Sequence, residues 1–193
     1  CAWPNDAEGL ASILSTWRAW VQSSAVSGRL SFSLPSVGLL TAMGELSSAV
    51  AKGGVPATEL AVRIPIVDSD RTEALIPPLT ALRASGMDVW LEGWRPGNAP
   101  LETLTQLPLD GLVFDPSLVA AVTQEPAETS LRFGRVSLAL GGALGLRVLA
   151  DGVCLADQHA RMALLGCGLM QGNWFCPAES AAEKGQSSRT VIF

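Results

Sequence analysis

Three carboxylates and a glutamine fall where strands are expected to stop: Glu92 after Met87–Leu91, Asp115 after Gly111–Phe114, Asp151 just after Leu146–Leu149, and Gln171 in the run that ends Met170-Gln171-Gly172. Carboxylate oxygens hold hard divalent cations, which activate water and neutralise charge developing on a phosphoryl group. Glu92, Asp115 and Asp151 could together hold one such ion weakly. Two arginines occupy comparable places, Arg63 inside the run Glu59–Ile66 and Arg95 in the loop after Glu92. Guanidinium matches phosphate oxygens bidentately, so the same strand ends could instead hold an anion with no metal.

These side chains need elements to position them. The densest stretch is Gly145–Pro177, where a short strand, the acidic turn Ala150-Asp151-Gly152-Val153, a helix over Ala156–Leu165 and a second strand form a β-turn-α-β unit. Upstream, Leu10, Ile13, Leu14, Trp17 and Val21 recur at helical spacing within residues 8–23. Arg29–Leu34 alternates polar and apolar and is stopped by Pro35, while a helix over Val37–Lys52 ends at Gly53-Gly54. Glu59–Ile66 is a strand, Thr72–Ser85 a helix stopped by Gly86, and Met87–Leu91 a strand leading into the Gly- and Pro-rich loop Glu92–Asn98. A short helix near Leu101–Gln106 precedes the strand Gly111–Phe114; a loop around Gln124–Glu128 and a helix fill the chain up to Gly145. Strand starts near 29, 59, 87, 111, 146 and 168 recur with helices between them, the rhythm of parallel βα units. The fold class is therefore α/β. Eight strands would close a barrel and six are countable, so a barrel incomplete within this chain is expected, with an open doubly wound sheet as the alternative. No G-x-G-x-x-G follows any strand, which counts against the latter.

Composition narrows the partners. A chain of 193 residues with 48% apolar and 16% charged residues suits one domain, residues 1–193, with a sizeable core. The net charge of −5 argues against a nucleic-acid partner. The longest uncharged apolar-rich run, Val136–Leu146, is too short to span a bilayer, so no membrane insertion is expected. Cys1, Cys154, Cys167 and Cys176 form no C-x-x-C pair, and reduced thiols in a cytoplasmic protein are expected. Cys1 is not an initiator, so a fragment or processed product is expected. The lone His159 lies inside a predicted helix and reads as a helix-surface residue rather than a metal ligand. After Pro177 the chain is polar until Val191-Ile192-Phe193, either a last helix and strand or a loosely attached end.

Three blocks, GMDVWLEGWRPGNAPLETLTQLPLDGLVFD, LGLRVLADGVCLADQ and LLGCGLMQGNWFCP, keep the spacing of a known pattern without gaps. They resemble the bacterial EAL domain, the TIM-like (β/α) barrel that binds or hydrolyses cyclic di-GMP. Weaker matches place Leu30–Pro35 on that family's V-N-x-S strand and Leu60–Ile66 on its L-E-I-T-E strand. The resemblance implies a barrel of EAL type, incomplete at the N-terminus because the E-A-L segment has no counterpart. It also implies a magnesium- or manganese-dependent phosphodiesterase site, but the matching positions depart from it. Ser33 stands for the family's Asn, Arg63 for the acidic ligand of L-E-I-T-E and Ile66 for its final Glu. Glu92 and Gly93 stand for the paired aspartates, Val113 for the Lys of K-I-D, Asp151 and Cys154 for the glutamates of A-E-G-V-E. Asp115, Gln158 and Gln171 match.

An Arg beside a dication is repelled, and Val113 cannot orient a water, so no catalytic residue is assigned and no cofactor is expected. Magnesium or manganese would be expected only with an intact site. The candidate ligand-binding residues are Arg63, Glu92, Arg95, Asp115, Asp151 and Gln171. The expected function is a catalytically inactive regulatory domain of a bacterial cyclic di-GMP signalling protein, whose partners are another protein or neighbouring domains. In that reading Arg63 pairs with Glu92 and plugs the pocket. A metal-free receptor, with Arg63 and Arg95 holding cyclic di-GMP, is one alternative, and an active phosphodiesterase with a rebuilt site is another. Trp90, Trp94 and Trp174 are candidate anchors, with core packing the expected role of Trp90 and Trp94.

Overall fold

The computed structural model describes residues 7–23, 28–53, 55–66, 72–124 and 127–175. Cys1, Cys176 and the tail after Pro177 lie outside the described residues. The chain opens with α1 (Ala7–Gln22) and then alternates strand and helix: β1 (Leu30–Ser33), α2 (Leu39–Gly53), β2 (Leu60–Pro65), α3 (Thr72–Ala84), β3 (Asp88–Trp94), α4 (Leu101–Gln106) and β4 (Gly111–Phe114). It continues through α5 (Pro116–Ala121), α6 (Ala127–Ala143), β5 (Arg147–Ala150), α7 (Ala156–Leu164) and β6 (Leu169–Met170). The strands form one sheet in the order β1-β2-β3-β4-β5-β6, and every neighbouring pair is parallel. Every crossover carries one α-helix except β4 to β5, which carries two, and this is the βα rhythm that the sequence predicts.

Strand alternation sorts side chains into two cores. Phe32, Val62, Ile64, Val89, Leu91, Leu112 and Phe114 face outward and pack with helix residues such as Leu14, Leu46, Leu79 and Leu118. Fully burying each of these side chains stabilises the fold by roughly 2 kcal/mol. The opposite parity gives a separate inner cluster of Ala61, Trp90, Val113 and Leu149, with Leu169 against it. Trp90 is thus core, as expected, and its ring lies where a Cβ on Gly111 would stand, 2.4 Å from the nearest ring carbons. Trp94 is core as well, 2% exposed with its ring centroid 5.5 Å from that of Phe114.

The sheet curls into part of a barrel. Arg63 of β2 donates from Nη2 to Oε1 of Gln171, just past β6, at 2.7 Å. In a flat sheet those strands, four spacings apart, would be separated by about 19 Å. The side chains can meet only across a concave interior.

Two expectations are corrected. β3 does not stop at Leu91 but runs on to Trp94, with a register shift between Leu91 and Trp94 and Gly93 at φ 77°. Glu92 therefore projects from a strand rather than a loop. The stretch after Asp115 also forms a helix of its own, α5, begun by Pro116 with its fixed φ.

Candidate functional site

The upper interior of the partial barrel is a connected set of polar side chains centred on Arg63. Period-two alternation turns Ser31 and Ser33 of β1, Arg63 of β2 and Glu92 of β3 to the same side of the sheet. Arg63 Nε donates to Ser31 Oγ at 2.8 Å, and Nη2 donates to Gln171 Oε1 at 2.7 Å. Nη1 lies 3.6 Å from Glu92 Oε1, the expected ion pair. Ser33 Oγ donates to the same Glu92 oxygen at 2.9 Å, and Gln171 Nε2 donates to Asp151 Oδ1 at 2.7 Å. Four of the six proposed site residues, Arg63, Glu92, Asp151 and Gln171, are therefore brought together.

Arg63 is only 6% exposed. Burial lowers its hold on the proton, while the charges of Glu92 and then Asp151 work the other way. A guanidinium stays protonated in proteins, so the interior holds one cation against two carboxylates. Beside it Val113 contributes only apolar contact.

Backbone contacts fix the far side. Gln171 N–H donates to Ala150 O at 2.9 Å, Val153 N–H to Gln171 O at 3.0 Å, and Trp174 N–H to Val153 O at 3.0 Å. Gln158 is buried and its Oε1 accepts from the Cys154 and Leu155 amides at 2.8 and 3.1 Å, which closes the turn between Asp151 and α7. These contacts hold Asp151 and Gln171 at adjacent strand ends.

Asp115 and Arg95 do not join this set. Asp115 Oδ1 accepts from the Ser117 amide at 2.8 Å and caps α5. The Ser117 hydroxyl and amide hold its carboxyl below the ordinary range, and nearby Arg95 adds to this. Arg95 is exposed in a turn where its amide donates to Asn98 Oδ1 at 3.0 Å and Asn98 Nδ2 donates to Gly93 O at 2.8 Å. The grouping of Glu92, Asp115 and Asp151 around one ion is thereby corrected: among the described residues no cluster of three His, Cys, Asp or Glu side chains could hold a metal.

Asp115→Ala should consequently cost about 1 kcal/mol, the usual loss of an N-cap, with Asp115→Asn close to neutral because Asn also caps. The native cap contribution is present above the unfolded carboxylate pKa and fades as pH falls through the lower folded value. Urea denaturation of both variants at neutral pH checks this; equal losses would contradict the capping role.

Ser31 joins the set although it is not among the residues expected there. Its signal was the alternation Ser31-Phe32-Ser33, which places both hydroxyls on one face. Trp174 is 47% exposed and stacks on His159 at 6.4 Å between centroids, while Phe175 meets the same imidazole edge-on at 5.4 Å. Cys154 and Cys167 are free thiols, and burial raises the pKa of Cys167. No helix of the described residues is long and apolar enough to cross a membrane.

A parallel α/β partial barrel with polar groups gathered at the C-terminal strand ends defines the class. The EAL domain family pattern matches residues 10–178, and the chain belongs to that family. Among curated relatives, the cyclic di-GMP phosphodiesterase NbdA of Pseudomonas aeruginosa is 26% identical over 144 residues, which is 72% of this chain and 18% of that protein. The cyclic di-GMP phosphodiesterase RocR of the same organism is 28% identical over 97 residues, 50% of this chain and 24% of that protein. The chain thus spans no more than a quarter of the length of these relatives. The fold is shared with the EAL domain of Mycobacterium smegmatis DcpA (TM-score 0.79, 24% identity, 92% of this chain and 80% of that one). It is shared also with the PaMucR phosphodiesterase in its c-di-GMP complex (TM-score 0.77, 19% identity, 92% and 72%).

Proposed function

We propose that this chain is a regulatory EAL domain that acts through contacts with another protein or with neighbouring domains, and does not hydrolyse cyclic di-GMP. The observation that carries this reading is the buried Arg63 guanidinium bonded to Ser31 and Gln171 and paired with Glu92. It stands where the family pattern has an acidic ligand, and it spans the interior between β1, β3 and the end of β6.

The family's magnesium or manganese does not fit these residues. Glu92 is engaged by Ser33 and Arg63, Asp151 by Gln171, and Asp115 by the α5 amide. A dication brought among them would face the Arg63 charge at close range. No hydrolytic step is derived through such an ion.

A metal-free receptor for cyclic di-GMP is the second reading, favoured by the guanidinium at the strand ends and by the names of the relatives. Charge opposes it: Arg63, Glu92 and Asp151 sum to −1, and the ligand is itself a dianion. The protein-contact reading gains from Trp174 and Phe175, which are 47% and 44% exposed and pack on His159. Exposed aromatic groups of this kind are enriched at interfaces.

Calorimetric titration with cyclic di-GMP, with and without magnesium or manganese, separates the readings. No binding in either condition is expected. Micromolar binding without metal that is lost in Arg63→Ala would establish the receptor instead, and turnover to the linear dinucleotide would overturn the proposal.

A further inference from the structure

We propose that the lower interior of the partial barrel, beneath Arg63 and open toward the N-terminal ends of the strands, is a binding site for a small aryl anion, a carboxylate or a phosphate monoester. A cavity of about 390 Å³ lies there, within the range of small-molecule sites. Its walls are the apolar side chains of Ala61, Trp90, Leu149 and Leu169. The room exists because Ala61 is small and because Gly111 offers no side chain to the Trp90 ring that covers it.

The mouth is charged in a particular way. Asp88, with its side chain 14% exposed, is flanked by Arg29 and Arg147, which pair with the same Oδ2 atom. Arg29 Nε also donates to Thr58 O at 2.7 Å. Arg147 is held over the Trp90 ring with Cζ 4.9 Å from the centroid, a cation–π contact that orders the side chain before any ligand arrives. Two guanidiniums against one carboxylate leave the mouth with a surplus positive charge, in a chain whose net charge is −5. Among the described residues Arg29 Nη2 and Arg147 Nε and Nη1 have no hydrogen-bond partner, so donors remain after Asp88 is satisfied. An apolar pocket with such a mouth matches a ligand that has a flat apolar body and one anionic head. The head would sit between Arg29 and Arg147, and the ring would lie inside against Leu149, Leu169 and Trp90.

The cavity meets the polar set at the C-terminal strand ends through Ser31 and Arg63, which line its inner end, but its mouth and apolar walls lie toward the N-terminal ends, and the inference stands whether or not cyclic di-GMP binds above. Nothing in it calls for chemistry on the ligand.

Calorimetry of the whole chain with benzoate, phenyl phosphate and uncharged benzyl alcohol at low ionic strength tests the proposal. At least one of the two anions should bind saturably at one site, and the alcohol at least about tenfold more weakly, as expected when charge-assisted hydrogen bonds are lost. The preferred anion then distinguishes a carboxylate from a phosphate ligand. Arg147→Gln, which leaves Asp88 its Arg29 partner, should weaken the anion by about tenfold or more. Leu149→Phe, which fills the cavity, should remove binding, and Arg95→Gln should not change it. Should Leu149→Phe fail to fold, Arg29→Gln and Arg147→Gln, both at partly exposed positions, still decide the matter. Absence of saturable binding by both anions at millimolar concentration would overturn the proposal, as would equal binding of benzyl alcohol or undiminished binding by the two arginine variants.

Discussion

Glu92→Leu is expected to destabilise the fold by roughly 3 kcal/mol, because removing one partner of a buried ion pair strands the other charge. The group that loses its ion-pair partner would be Arg63, whose side chain is 8% exposed; it keeps its hydrogen bonds to the neutral Ser31 and Gln171 and feels the Asp151 charge more weakly than that of Glu92. Arg63→Met should cost less. Glu92 has a side chain 27% exposed, so water can reach it, and it keeps the Ser33 hydroxyl at 2.9 Å. The double variant Arg63→Met/Glu92→Leu should return to within about 1 kcal/mol of the wild type, since apolar residues of similar volume often replace a buried pair without loss. Both new side chains would extend the apolar layer that Trp90 and Val113 already form beneath them. Urea denaturation of the four proteins, read as a double-mutant cycle, measures the coupling. Additive single losses would show that Arg63 and Glu92 do not act as a pair, and the account of Arg63 as the hub of the interior would fall with them.

Much of this interior is legible in the sequence once the strands are placed. Alternation within Leu30–Ser33 and Leu60–Pro65 is enough to turn Ser31, Ser33 and Arg63 inward, and a strand end puts Asp151 and Gln171 near one another. The Arg63–Gln171 bond is not legible in the same way. Its partners are separated by 108 positions, and their meeting depends on the curl accumulated over four strand pairings. The end of β3 differs from the expected one for a local reason. Glu92-Gly93-Trp94-Arg95-Pro96-Gly97 has the composition of a loop, yet Gly93 at positive φ accommodates an irregularity inside the strand, and Trp94 resumes pairing with Phe114.

Asp115 shows how a residue can match a functional pattern and still be engaged elsewhere. It has the same strand parity as Val113, so alternation alone would aim it inward. Pro116 begins a helix at the very next position, however, and an Asp before Pro is a strong start signal in its own right. The three-residue run Asp115-Pro116-Ser117 thus contained the competing answer, and the Ser117 amide claims the carboxylate. Arg95 is drawn off for a related reason, since the Asn98 side chain closes the turn around its amide.

Gly172→Ala is expected to cost about 3–5 kcal/mol, combining the strain of a side chain at a glycine-specific φ with a backbone clash. Gly172 has φ 146°, and a Cβ there would stand 2.2 Å from Val153 O and 2.5 Å from Val153 N. The atoms in the way are main chain, so no side chain can swing aside to relieve the contact. They are also the atoms that join the two strand ends, through Val153 N–H to Gln171 O and Trp174 N–H to Val153 O. Relief requires the 171–174 segment to move off Val153, which would carry Gln171 away from Arg63 and Asp151 and Trp174 away from His159. Two readouts follow. The urea midpoint should fall, and the resonance of His159, the single histidine in the chain, should lose the ring-current shift imposed by Trp174 and Phe175. A variant within about 0.5 kcal/mol of the wild type, the usual range for a surface substitution, with an unchanged histidine signal would mean that the approach of Gly172 to Val153 does not hold the two strand ends together.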